Sequence, residues 1–125
     1  MRVAIATIPH KTQDYPTVGN WQFDEQGRLT ILVSETEDDR YNALIALHEF
    51  VEAVLCRYHG VNQDQVTAFD VAFEGLRGEG DTAEPGDDDS APYFKEHQFA
   101  TKIEKLMAKQ LDVPWKEYDK LIGEM

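Results

Sequence analysis

Cysteine is nearly absent from this chain of 125 residues: Cys56 stands alone. One thiol cannot close an intramolecular disulfide, so nothing in the composition calls for an oxidising compartment. Basic residues are scarce as well, 12 Lys and Arg against 24 Asp and Glu, for a formal charge of -12. A nucleic-acid binder needs clustered Lys and Arg to neutralise phosphates, so that class is set aside. Long apolar runs are missing too. The N-terminal segment MRVAIATIPH carries a short one that ends at Pro9. It falls short of a membrane span or a signal-peptide core, and no small-residue cleavage site follows. These absences predict a cytoplasmic protein that binds neither nucleic acid nor membrane.

What is present is an ordinary hydrophobic fraction, 42%, enough for one core in a chain of this size. A single domain over residues 1–125 is the expectation. The excess of acid fits a very soluble protein, one that holds cations, one that binds a basic partner, or one that mimics nucleic acid. Charge alone does not choose among these.

Along the chain, Val3, Ile5 and Ile8 read as a short first strand. Trp21 and Phe23, the turn Asp24-Glu25-Gln26-Gly27 and the run Leu29 to Val33 read as a hairpin. Polar residues from Ser34 to Asp39 precede a long helical pattern from about Arg40 to His59, with Gly60 as its stop. Residues 62–73 mix both periods and admit a short helix or a strand. Gly75 to Pro92 is rich in Gly, Asp, Glu and Pro and reads as a long acidic loop. A third helix follows to about Leu111, and Pro114 opens a last one through Trp115, Tyr118 and Ile122. Strands first and helices after predict an α+β domain, a small antiparallel sheet packed on helices.

The helix from Tyr41 to His59 carries the chemistry. On a wheel of about 100° per residue, Leu44, Leu47, Val51, Val54, Leu55 and Tyr58 form the main apolar face, which Ile45 and Cys56 extend. His48, Glu52 and His59 fall between those groups. Asn42, Ala46, Glu49, Ala53 and Arg57 make the wet face. His48 and Glu52 are thus enclosed, and an enclosed carboxylate requires a partner: an Arg, a His, water or a metal ion. Four residues apart, their side chains share one side of the helix and can reach a single ion.

The segment His48-Glu49-Phe50-Val51-Glu52 resembles the His-Glu-x-x-His helix of zincin-type metalloproteases, with Glu52 in the place of the second His. In that family the two His bind zinc and the Glu activates the metal-bound water. The resemblance implies His48 as first ligand, Glu49 as general base and Glu52 as a carboxylate ligand. The hairpin before the helix also suits the small members of that class. The resemblance implies Zn²⁺ first; an anion at Glu52 lowers the Lewis acidity of the metal and favours harder ions, so Mn²⁺ or Mg²⁺ are the alternatives.

A third ligand is needed. On the third helix Glu96 lies near the middle of the face made by Phe99, Ala100, Ile103, Leu106 and Met107, and His97 sits at its edge. One zincin branch takes its third ligand from a Glu on a following helix, which would be Glu96. His97 would give two His and one carboxylate. Both remain open. His59 lies about eleven residues of helix beyond His48, which makes it a weaker candidate than either.

The plainer readings stand beside this one. Glu52 can pair with a basic side chain and His48 can be a hydrogen-bonded core residue. Cys56 reads as a small core residue. Asp87-Asp88-Asp89 lacks the ordered spacing of a calcium loop, and Gly75, Gly78 and Gly80 make no phosphate loop. Trp21, Trp115 and Tyr118 read as packing. Two function classes emerge. The first is a divalent-metal-binding, zincin-like protein, as a peptidase-like hydrolase acting on a protein or peptide. The second is a non-catalytic acidic interaction protein of phage or mobile-element type that engages a basic partner.

Overall fold

Leu29, Ile31 and Val33 are fully buried, whereas Thr30 between them is exposed. This two-residue period makes one face of a strand the floor of the core. In the computed structural model, which describes residues 1–125, that strand is β3 (Leu29–Ser34). It is the middle of a three-stranded sheet, between β1 (Val3–Ile8) and β2 (Gly19–Phe23). Four helices follow: α1 (Asp39–Tyr58), α2 (Gln63–Gly75), α3 (Phe94–Gln110) and α4 (Trp115–Glu124). The domain is α+β.

The β2–β3 hairpin forms as the alternation predicts, with Trp21 opposite Ile31. Asp24 holds its turn through Oδ1, which accepts from the backbone N–H of Gln26 and Arg28, and Gly27 takes a φ of 77°. The sheet is mixed rather than antiparallel, because β1 runs parallel to β3 with Ile5 opposite Ile31. The reason lies in the connection. β1 ends beside Ser34 and β2 starts beside Val33, at the same end of β3. Residues 9–18 therefore step over that end, two strand spacings or roughly 10 Å. Ser34 Oγ pins the crossing through His10 Nδ1 at 2.8 Å and Gln13 Nε2 at 3.1 Å.

Asp38 caps α1 by accepting from the N–H of Arg40, and Gly60 at φ 72° ends it. The buried stripe of α1 is Leu44, Ile45, His48, Glu52, Ala53 and Cys56. This stripe is rotated from the expected apolar face: Tyr58 is 88% exposed, and Ala53, assigned to the wet side, is fully buried. Segment 62–73 is helical, started by a reciprocal cap between Asn62 and Gln65. The acidic loop contains one short 3-10 helix, at Pro85–Asp87.

On α3 the buried stripe is rotated from the expected face, keeping Glu96 and Ala100 but not its large apolar residues. Phe99 and Leu106 are about half exposed, and the buried residues are Glu96, His97, Ala100, Glu104 and Ala108. Small and ionisable side chains, not the large apolar ones, meet α1. No helix is long and apolar enough to cross a membrane.

Candidate metal centre

α1 and α3 lie antiparallel, since His48 meets Glu104 while His59, one helix end away, meets Glu96. Their seam brings His48, Glu52 and His97 together. His48 Nε2 lies 3.1 Å from Glu52 Oε2, His97 Nδ1 lies 3.0 Å from the same oxygen, and the two nitrogens are 3.1 Å apart. All three residues are buried.

The outer ring nitrogens decide what the inner ones present. His48 Nδ1 faces Glu104 Oε1 at 2.7 Å, and His97 Nε2 faces Glu84 Oε2 at 3.1 Å and Asp87 Oδ1 at 3.3 Å. A carboxylate only accepts, so both outer nitrogens carry hydrogen and donate. The inner nitrogens then turn lone pairs toward the Glu52 oxygen. Three electron-rich atoms in a triangle of 3.0–3.1 Å edges require something positive among them.

Without a metal ion that role falls to protons. Burial opposes charge on His48, but its hydrogen bonds to Glu104 and Glu52 outweigh it and push the ring up to about 10. Burial likewise opposes charge on His97, and Asp87, Glu52 and Glu84 lift it to about 12. Burial would raise Glu52, yet the two rings hold its carboxyl well below the usual range. Two like-charged rings with centroids 4.6 Å apart then share the Glu52 carboxylate between them, each backed by carboxylates on its outer side.

The donor chemistry fits a metal ion. Two imidazoles and a carboxylate are a common zinc set, and a tetrahedral zinc with bonds of 2.0–2.1 Å places its ligands about 3.3 Å apart. Carboxylates behind the ligand imidazoles are the usual outer support. That support is built in. Glu104 also accepts from the Tyr118 hydroxyl on α4, and the second oxygen of Glu52 accepts from Trp21 Nε1 at 3.1 Å. A Cβ on Gly86 would come within 2.3 Å of the His97 ring, so only glycine lets the 85–87 turn close on that histidine.

Glu49 follows His48 on α1 but is turned toward β2, half-buried against Gly19, where a Cβ would meet its carboxylate at 2.6 Å. It is therefore not on a wet face. Burial first, and the charge of Glu52 second, push it up to about 8. It makes no hydrogen bond with the protein.

Of the expected ligands, the structure gathers His48, Glu52 and His97. Glu96 is placed elsewhere: its Oε2 meets His59 Nδ1 at 2.7 Å. Cys56 is a fully buried core residue. Sequence reasoning missed Glu104, Glu84 and Asp87. Glu104 was findable, being seven residues after His97 and hence on its face. Glu84 and Asp87 carry no spacing signal. Asp70 on α2 was also missed. It accepts from Tyr15 at 3.0 Å and from Tyr93, and burial pushes it up to about 6 against those two hydrogen bonds.

The site borders a cavity of about 350 Å³ that reaches Asp70 and Glu49. No protein-family model, curated protein or solved structure matches the chain.

Proposed function

We propose that this protein binds one divalent cation, Zn²⁺ in the first place, through His48, Glu52 and His97, and acts as a metal-dependent, peptidase-like hydrolase of zincin-like type. The observation that carries the metal is the pairing of both outer ring nitrogens with carboxylates, which aims two lone pairs and Glu52 Oε2 at one point. Such an ion supplies a Lewis acid and a water of lowered pKa.

The chain's own residues do the remainder. Glu104, Glu84 and Asp87 fix both imidazoles and raise their basicity as ligands. Trp21 holds the free oxygen of Glu52, so one oxygen faces the site. Glu49 lines the same cavity. Burial holds its carboxyl at about 8; a dication in the seam would favour its charged form, which could accept a proton from water and return it to a leaving amine.

The interaction-protein reading rests on the charge of -12. Burial of Glu52, Asp70, Glu96 and Glu104 withdraws four carboxylates from any open face, which favours the metal reading. The test is elemental analysis of protein purified without added metal, beside His48→Ala, Glu52→Ala and Glu49→Gln. One zinc or manganese per chain, lost in the first two variants and kept in the third, is the expected result. Absence of metal from the wild type, with no thermal shift on adding Zn²⁺ or Mn²⁺, would sink the reading.

A further inference from the structure

The cavity beside the metal centre carries more acid than base on its wall, where the only histidines are His48 and His97 of the centre itself. Its single Lys or Arg is Arg77, and that guanidinium is already engaged. It holds Glu74 through two hydrogen bonds of 2.7 and 2.8 Å, and it donates to the backbone carbonyls of Asp81 and Ala83. Nothing of its charge is left for a ligand.

Two carboxylates on the wall, Asp70 and Glu49, make no ion pair with a protein side chain. Asp70 is 8% exposed, and both its oxygens accept from phenols, Tyr15 and Tyr93, but no Lys, Arg or His lies within ion-pair distance. Glu49 has no ion-pair partner either. A buried carboxylate without a counter-ion is costly even when hydrogen-bonded, because phenols share its charge without cancelling it. The two tyrosine rings beside Asp70 provide apolar walls of the kind that receive the methylene stem of a long cationic side chain. Tyr93 also packs edge-on to His97 with ring centroids 6.1 Å apart, so Asp70 stands one aromatic ring from the metal ligands. The volume is at the small end of ligand sites, which run from ~300 to 1,000 Å³.

We propose that this cavity takes the cationic side chain of a basic peptide segment, a Lys ammonium or Arg guanidinium, with Asp70 as its counter-ion. The choice of a peptide rests on the hydrolase reading of the adjoining centre; the choice of a cation rests on the cavity wall alone. A segment seated this way has its backbone beside Glu49 and the metal ligands.

The test is a titration of zinc-free and zinc-loaded wild-type protein with three capped amino acids: N-acetyl-lysine methylamide, its norleucine analogue and its glutamate analogue. Heat and NMR shifts are the readouts. The lysine probe is expected to bind at least tenfold more tightly than norleucine, to shift Tyr15 and Tyr93 resonances, and to leave the glutamate probe without binding. In Asp70→Asn the lysine affinity is expected to fall to that of norleucine. Equal affinities, no binding by any probe, shifts confined to other acidic residues, or an unchanged preference in Asp70→Asn would overturn the proposal. The wild-type comparison stands even if the variant fails to fold. Zinc-free protein keeps the charge preference if only the metal reading is wrong.

Discussion

The two sides of α1 are built from opposite chemistry. Toward the sheet it presents Ile45, Ala53 and Cys56 to a core of Leu29, Ile31 and Val33. Toward α3 it presents His48 and Glu52 to His97 and Glu104, while α3 leaves Phe99, Leu106 and Met107 in solvent. An apolar seam was available from α3 at no cost in composition. Burying ionisable groups instead forgoes stability, since well-packed hydrophobic residues often equal or exceed a buried ion network. The sheet side holds the fold together; the α3 side is the part that stability alone does not explain.

The comparison breaks most sharply at Glu104. Glu104→Ala strands the His48 Nδ1–H and the Tyr118 hydroxyl, and a loss of about 3–5 kcal/mol is expected on urea denaturation. Replacing the network together, as His48→Leu, Glu104→Leu and Tyr118→Phe, should recover most of that loss. A triple variant no more stable than the single one would mean that the polar seam itself holds the helices.

Asp70 gives the next effect, through pH. Its folded value of about 6 lies above the ordinary 3.8, so between these values the unfolded chain has lost a proton that the folded one keeps. Stability is expected to fall as pH rises from about 4 to 6, by on the order of 3 kcal/mol. Asp70→Asn should flatten that stretch of the profile, measured by denaturation midpoints across pH. A rising profile unaltered by the substitution would contradict the assignment.

Gly86→Ala tests the support of the centre without replacing a ligand. Its Cβ would displace the His97 ring, and zinc affinity is expected to drop 10- to 100-fold, the usual effect of disturbing outer support. Isothermal titration reads it directly. The smallest effect belongs to the sheet side: Ile31→Val should lower stability by about 0.5–1.5 kcal/mol and leave zinc affinity unchanged.

Much of the chain announced itself locally. The hairpin followed from alternation around Asp24 to Gly27, and the termini of α1, α3 and α4 from their polar, Gly and Pro neighbours. The pairing direction of β1 was not legible, because a strand's own residues do not encode which edge it joins; the crossing over Ser34 settles it. The inward face of α3 was misjudged for a related reason. An apolar stripe ordinarily turns inward, and only the demand of His48 for a partner across the seam turns Glu104 in its place. His48 and Glu52 were legible from their spacing on α1. Glu96 and His97 could not be separated, since adjacent residues differ by about 100° on the wheel and the partner helix decides; Glu96 goes to His59.

The most direct test of the centre is a crystal structure of the protein grown with one equivalent of Zn²⁺, with data collected at the zinc edge. A single anomalous peak within about 2.0–2.2 Å of His48 Nε2, His97 Nδ1 and a Glu52 oxygen is the predicted result. Zinc on Glu84 and Asp87 alone, on His59 and Glu96, or nowhere in the seam would contradict the account.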